Sequence, residues 1–274
     1  MMLDPAEEES EVHRRRLNKS SRLERIHEAT HKLGFVHVDD LADELQVSRM
    51  TIHRDLDDLQ RQGALRKVRG GASAQRSTQF ESDLGFRSHS AMHEKSEMAA
   101  AAAEFASEGD VVLLDDSTTA LALVPLLGVK DSITVITNSL PALNQLALMP
   151  GVTTISLGGQ YVPNYSAYLG MLCESTIRNL YADVLFASTS SLRNSVLYHQ
   201  DQRVVATKRA MIESAQRRVL LLDHTKIGPG ALHKLCEVSE FTDVVVDDLV
   251  DEAIVRSFEE HGLNTIVAPR RARP

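Results

Sequence analysis

Cysteine is scarce: of 274 residues only Cys173 and Cys236 carry a thiol, far apart and without metal-ligand spacing. That excludes a disulfide scaffold and a cysteine zinc site, and it suits a reduced compartment. Long apolar runs are missing too. Stretches such as MAAAAAEFA (98–106) fall well short of the roughly 20 residues that span a bilayer, and no hydrophobic signal region precedes the polar sequence. A cytoplasmic protein without a membrane anchor is expected. No metal-ligand motif is read around the histidines, His31, His199 and His261 among them. No metal or other cofactor is expected, and these histidines are given no chemistry.

Positive charge is in the minority, with 30 Lys and Arg against 38 Asp and Glu and a net charge of -8. The deficit is uneven. Residues 12–75 carry 13 basic against 9 acidic side chains, while the first 11 residues contribute -5 and those from 76 onward -7. Two domains are natural at this length. A basic module ahead of an acidic body points to nucleic-acid binding by one part only.

Residues 1–19 join an acidic cluster to HRRR with little to bury, and read as a disordered arm. Residues 20–75 read as a winged helix-turn-helix DNA-binding domain. A first helix is expected at about 20–33, with Leu23, Ile26, Thr30 and Leu33 at helical spacing. A second takes Val38, Leu41, Ala42 and Leu45 as one apolar face, with Asp39 and Asp40 in its first turn. Ser48 caps a third, in which Ile52, Leu56 and Leu59 repeat until Gly63 while Arg49, Met50, His53 and Arg54 face away. Leu65 and Val68 then alternate with basic residues up to Gly70-Gly71, which suits a small two-stranded turn. Residues 76–92, rich in Ser and small residues, are expected to be a linker, with a short ordered piece around Phe80 to Phe86.

From 93 to 274, apolar runs at 111–115, 133–137, 153–157, 183–188, 218–223, 243–247 and 264–268 alternate with helical patterns. The clearest of these helical patterns lie at 119–127, 140–149, 173–181, 203–215 and 251–262. Runs apolar on both faces and separated by helices imply a mainly parallel sheet covered on both sides. The fold class is therefore α/β: an N-terminal winged helix-turn-helix plus a C-terminal Rossmann-like, mainly parallel α/β effector domain.

Recognition helices set their N-terminal side chains against base edges, while wing cations and backbone amides hold phosphates. The candidates for DNA contact are Ser48, Arg49, Met50, Thr51, His53 and Arg54, with Arg66, Lys67, Arg69 and Gly70 on the wing. Arg61 reads as a surface charge. A lone basic helix is as often a solvated face, but here a short helix, a turn, exposed cations and a basic hairpin occur in order. In the second part, Asp115, Ser117, Thr118 and Thr119 run from a strand into a helix, where hydroxyls and N–H groups favour an anion. Ser and Thr cap helices everywhere, so this turn is weak on its own. Asn138, Gly158, Gly159, Asp223 and Lys226 stand at other strand ends, which in open parallel sheets converge on one crevice.

The stretch VDDLADELQVSRMTIHRDLDDLQRQGALRKVRGGA resembles the DeoR family of bacterial transcription regulators in its helix, turn, T-I-x-R-D-L core and R-x-x-G-G wing. EKSEMAAAAAEF, VVLLDDSTTALAL, ITVITNS, ISLGGQY, TKRAMIESA and LLLDHTK are similar, in order, to the family's carboxy-terminal domain. The resemblance implies a sensor domain related to ribose-phosphate isomerases that binds phosphorylated sugars. It implies a repressor of carbohydrate catabolism genes whose hold on double-stranded operator DNA answers to a phosphorylated sugar. Asp115 and Asp223 would then accept sugar hydroxyls, and Lys226 would meet a phosphate or a sugar oxygen. Three places depart from the family: Ser117 where glycine is usual, Ala187 to Ser191 in place of a glycine-rich turn, and His53 where a cation is common. A side chain at the first two narrows a ligand's approach to the backbone, which points to an atypical ligand. A homo-oligomer is expected, because one winged helix makes few phosphate contacts. The alternative is a sugar-phosphate isomerase-like enzyme with an appended DNA-binding module, using a base among Asp115, Asp116, Glu213 and Lys226. A fused winged helix has no use in an isomerase, so no enzyme is expected.

Overall fold

The computed structural model describes residues 18–33, 35–61, 64–68, 70–73, 84–228 and 230–269. The chain divides into two compact units, 1–80 and 81–274.

The first unit contains α1 (Lys19–Leu33), β1 (Phe35–His37), α2 (Val38–Glu44), α3 (Arg49–Arg61), β2 (Arg66–Val68) and β3 (Gly71–Ser73). Ile26, Leu41, Ile52, Leu56 and Leu65 meet in its core. Leu33 was expected on that apolar face but is exposed, because it stands at the last residue of α1, beyond the packed turns. Asp55, buried among the apolar residues of α3, accepts a two-pronged bond from Arg22 of α1, with Nη2 to Oδ1 at 3.0 Å. A buried carboxylate needs such a partner, so this pair fixes α1 against α3. The wing has one strand more than the expected two: β1 joins it, in the antiparallel order β1-β3-β2. Gly71 makes that pairing possible, since a Cβ there would lie 2.1 Å from the Val36 carbonyl oxygen. Gly70 turns the hairpin with φ of 81°.

The second unit opens with α4 (Leu84–His89) and α5 (Met92–Ala102), followed by β4 (Val111–Leu114), α6 (Thr118–Leu121), α7 (Val124–Leu127), β5 (Thr134–Thr137), α8 (Leu140–Leu146) and β6 (Thr153–Ser156). A hairpin of β7 (Gln160–Val162) and β8 (Ala167–Leu169) leads to α9 (Met171–Arg178) and β9 (Ala182–Ser188). Next come β10 (Ser191–Arg193), β11 (Val196–His199), α10 (Gln202–Glu213), β12 (Ala215–Leu222), β13 (His233–Glu237), β14 (Asp243–Val246), α11 (Glu252–Glu260) and β15 (Asn264–Val267). Seven strands form a parallel sheet in the order β15-β14-β12-β9-β4-β5-β6. They are the seven apolar runs read from the sequence, with apolar clusters packed on both faces. The hairpin β7-β8 and the antiparallel sheet β10-β11-β13 were not anticipated.

The expected linker needs correcting. Residues 76–83 lie outside the described residues, but 84–92 are largely helical and belong to the second unit. The Leu84 N–H donates to the Asn164 carbonyl at 3.0 Å, and the Lys95 ammonium donates to the carbonyls of Arg87 and Ser90. Main-chain groups held in this way cannot act as a free tether. Most of the expected arm, 1–17, also lies outside the described residues.

Candidate functional site

Ser48 starts α3 by accepting the Thr51 N–H at 3.1 Å, which satisfies one of the orphan donors of a helix start. From there Ile52, Leu56 and Leu59 turn into the core, while Arg49, Met50, His53 and Arg54 are exposed, Met50 by 65%. Their spacing puts these four on one helix face. Arg49 pairs with Asp39 at 2.7 Å with both side chains mostly in solvent, and such pairs contribute little and yield readily to a stronger anion. Lys67 pairs with Asp57 at 2.6 Å. Arg66 is exposed on β2, Gly70 is in the turn, and Arg69 lies outside the described residues. Among the described residues Arg54 forms no ion pair.

In the second unit the loops after β4 and β9 face one another across a narrow cleft that opens to solvent. One wall carries Asp116, Ser117, Thr118 and Thr119, and the other Ser188, Thr189 and Ser190. Arg87, His199, Lys208 and Lys226 complete the lining. The sequence-derived candidates divide here. Ser117, Thr118, Thr119 and Lys226 line the cleft, whereas Asp115, Asn138, Gly158, Gly159 and Asp223 do not.

Asp115 is a brace and not an outward acceptor. Its Oδ1 accepts the Ser117 N–H at 2.9 Å, and its Oδ2 accepts the Ser188 N–H at 2.7 Å together with the Lys208 ammonium. Gly159 lacks a side chain for packing reasons, since a Cβ would sit 2.7 Å from the Leu169 carbonyl oxygen. Buried Asn138 donates to the Tyr168 carbonyl at 3.0 Å. Asp223 caps the short turn His224–Lys226, accepting the Thr225 N–H at 3.0 Å, and so delivers Lys226 to the cleft. The expected helix-start anion site is also weaker than read: α6 is one turn long, and the Ser117 hydroxyl is taken up by the Ala120 N–H at 3.0 Å. So short a helix has little dipole to offer. Charged side chains carry the attraction instead.

Lys208 lies in the middle of α10 and is buried. Burial opposes its charge, but the carboxylates of Asp115 and Asp116, the latter at 3.3 Å, hold the ammonium above the usual lysine range. For Asp116, burial favours the neutral acid, and the charges of Lys208 and Arg87 outweigh it, so the carboxyl stays below its ordinary range. His199 is pushed down to about 3 by burial and then by Lys208. It is neutral, and its Nδ1 accepts the Asp201 N–H at 3.2 Å, which leaves the ring proton on Nε2 as a donor. Arg87 packs its guanidinium 5.4 Å from the centre of the Tyr165 ring. Its Nη1 reaches the Asp116 carbonyl at 3.5 Å, while buried Nε and Nη2 have no protein partner. Asp116 Oδ2 is likewise buried and unpartnered. With Asp115 neutralising Lys208 from behind, Arg87 and Lys226 leave the cleft with an excess of positive charge, suited to an anion that also carries hydroxyl groups.

Arg87, His199 and Lys208 are not among the candidates that the sequence offers, and Asp116 enters there only as a candidate base of the enzyme alternative. Lys208 did leave a signal, because it interrupts the buried stripe Val204, Val205, Met211 and Ile212 at helical spacing. Among the described residues no group of His, Cys, Asp and Glu is arranged to hold a metal ion, and no helix is long and apolar enough to cross a membrane.

Residues 22–78 match the DeoR-like helix-turn-helix domain and residues 90–248 the DeoR C terminal sensor domain. The chain belongs to the DeoR family. This DeoR-family protein is 31% identical to an uncharacterized HTH-type transcriptional regulator of Escherichia coli, over 86% of its own length and 92% of the relative's. It is 27% identical to the lactose phosphotransferase system repressor of Staphylococcus epidermidis, over 89% and 99% of the two chains. It is 28% identical to the L-fucose operon activator of Haemophilus influenzae, over 85% and 94%. Relatives that match over nearly their whole length share both units, so the chain is a transcription regulator with a DNA-binding helix-turn-helix.

Proposed function

We propose that this DeoR-family protein is a cytoplasmic repressor of carbohydrate catabolism genes, released from operator DNA when a phosphorylated sugar occupies the cleft of the second unit. The observation that carries this reading is the cleft itself, where Arg87 and Lys226 offer positive charge to an oxyanion while Asp116 Oδ2 and His199 Nε2–H offer an acceptor and a donor for hydroxyls. Sugar-related names among the relatives, lactose in one and fucose in another, point the same way. On the DNA side, Arg49, Met50, His53 and Arg54 are assigned to the groove, with Ser48 and Thr51 at the helix start. Arg66, Lys67, Arg69 and the Gly70 turn are assigned to backbone phosphates.

Release requires that the sugar phosphate bind the DNA-free arrangement more tightly than the DNA-bound one, because equal affinity shifts nothing. A homo-oligomer reading repeated half-sites supplies the phosphate contacts that one winged helix lacks. The test is a thermal-shift screen of sugar phosphates against free sugars, followed by gel shifts on the promoter beside the protein's own gene with each hit. A hit that raises the melting temperature and weakens the DNA complex supports the reading. No response to any sugar phosphate at millimolar concentration sinks it.

A further inference from the structure

The segment Leu84–His89 belongs to neither matched domain: the helix-turn-helix match ends at residue 78 and the sensor match begins at residue 90. Yet α4 carries Arg87, whose guanidinium lines the cleft with Nε and Nη2 buried and without protein partners. Those two nitrogens share one edge of the planar group, and their N–H bonds form the fork that fits two oxygens of a phosphate. Burying two such donors without a protein partner is costly, and an oxyanion is a ligand that satisfies both.

The main chain of the same residue is tied to the same place. The Arg87 carbonyl accepts the hydroxyl of cleft-lining Thr118 at 3.1 Å and also the ammonium of buried Lys95. Lys95 donates further to the Ser90 carbonyl at 2.6 Å. The position of α4 and the geometry of the cleft wall are therefore one hydrogen-bonded unit.

We propose that Arg87 grips the phosphate of a phosphate-monoester ligand, so that occupancy of the cleft fixes the helix that follows the DNA-binding domain in sequence. This rests on reading the cleft as a phosphate site. The ligand acts on the chain leading to the DNA-binding domain through one side chain, and it needs no rearrangement of the parallel sheet to do so.

The test uses the full-length protein, inorganic phosphate and ribose 5-phosphate as probes, and free ribose as the uncharged control. Binding is read by titration, and hydrogen exchange of amides 84–92 is followed by mass spectrometry. Both phosphates should slow exchange in the wild type, and free ribose should not. Arg87→Lys keeps the charge without the fork and should weaken both by about tenfold, and Arg87→Gln by about a hundredfold. Melting temperatures without added anion establish that each variant is folded; should Arg87→Gln melt early, Arg87→Lys decides. Arg87 variants that bind either phosphate as well as the wild type overturn the proposal but leave the cleft reading standing. A wild type that binds neither phosphate removes that reading, and the proposal with it. Tight binding without slower exchange at 84–92 overturns the link to α4.

Discussion

Replacing Lys208 with methionine keeps most of the length of the side chain and removes its charge from a place where water cannot take over. The side chains of Lys208, Asp115 and Asp116 are each at most 3% exposed. Breaking a buried ion pair from one side leaves an uncompensated charge, at a cost of about 3–5 kcal/mol. In a unit of this size each kcal/mol moves the melting temperature by about 2–4 °C, so a fall on the order of 10 °C is expected at pH 7.5. The pH dependence has a definite sign. In the wild type the folded Asp116 carboxyl lies below its unfolded value, so its stabilisation is present at neutral pH and is lost only in strong acid. In Lys208→Met, burial is no longer opposed by the ammonium and pushes the Asp116 carboxyl above the unfolded value of about 3.9. The penalty is then relieved as pH falls, and the gap to wild type should narrow between pH 7.5 and pH 5. Thermal melts followed by circular dichroism measure this, and Asp116→Asn added to Lys208→Met should recover part of the loss. A variant that melts with the wild type at pH 7.5, or a gap that does not change with pH, would refute the reasoning.

Arg54→Ala should weaken operator binding by about 1–3 kcal/mol in gel shifts while thermal shifts with a bound sugar phosphate stay as in the wild type; unchanged DNA affinity would remove Arg54 from the groove. Gly71→Ala drives a Cβ into the Val36 carbonyl, so it should separate β1 from β3, cost at least about 1–3 kcal/mol and impair DNA binding; a wild-type melting profile would contradict the close approach. Lys95, pushed down to about 8 first by burial, sheds its proton in the folded state before the unfolded one does. The wild type should therefore gain stability relative to Lys95→Met as pH rises from about 8 toward 10. Parallel stability curves for the two proteins over that range would exclude the shift.

The five inner strands of the main sheet were legible because a parallel strand covered on both faces is an unbroken apolar run, and the partly exposed edge strands β6 and β15 because the helices between the runs kept their period. Ser117, Thr118, Thr119 and Lys226 were legible as strand-end residues of a parallel sheet. The same rule named Gly158, Gly159 and Asn138, which stand at strand ends but do not line the cleft; a strand end gives a level in the sheet and not a direction. The hairpins β7-β8 and β10-β11 leave no such signal because strands of three or four residues carry no period. Lys208 and Lys95 sit on buried helical stripes, at the spacing of Val204 and Met211 in one case and Met98 and Ala102 in the other. A lysine in such a place is a visible anomaly whose partners are not visible.

The order of apolar runs and helix signals, with the serine cap and the cations of α3, was enough by itself to determine the two-unit plan and which side chains of α3 are exposed, because those depend on neighbours within a few residues. Which groups meet in the cleft was decided only by the tertiary structure. Asp115 and Lys208 are 93 residues apart in sequence, and Arg87 comes from a segment with no pattern of its own. Such a meeting is imposed by the pairing of β4 with β9 and the packing of α10 against them, and no local signal records it.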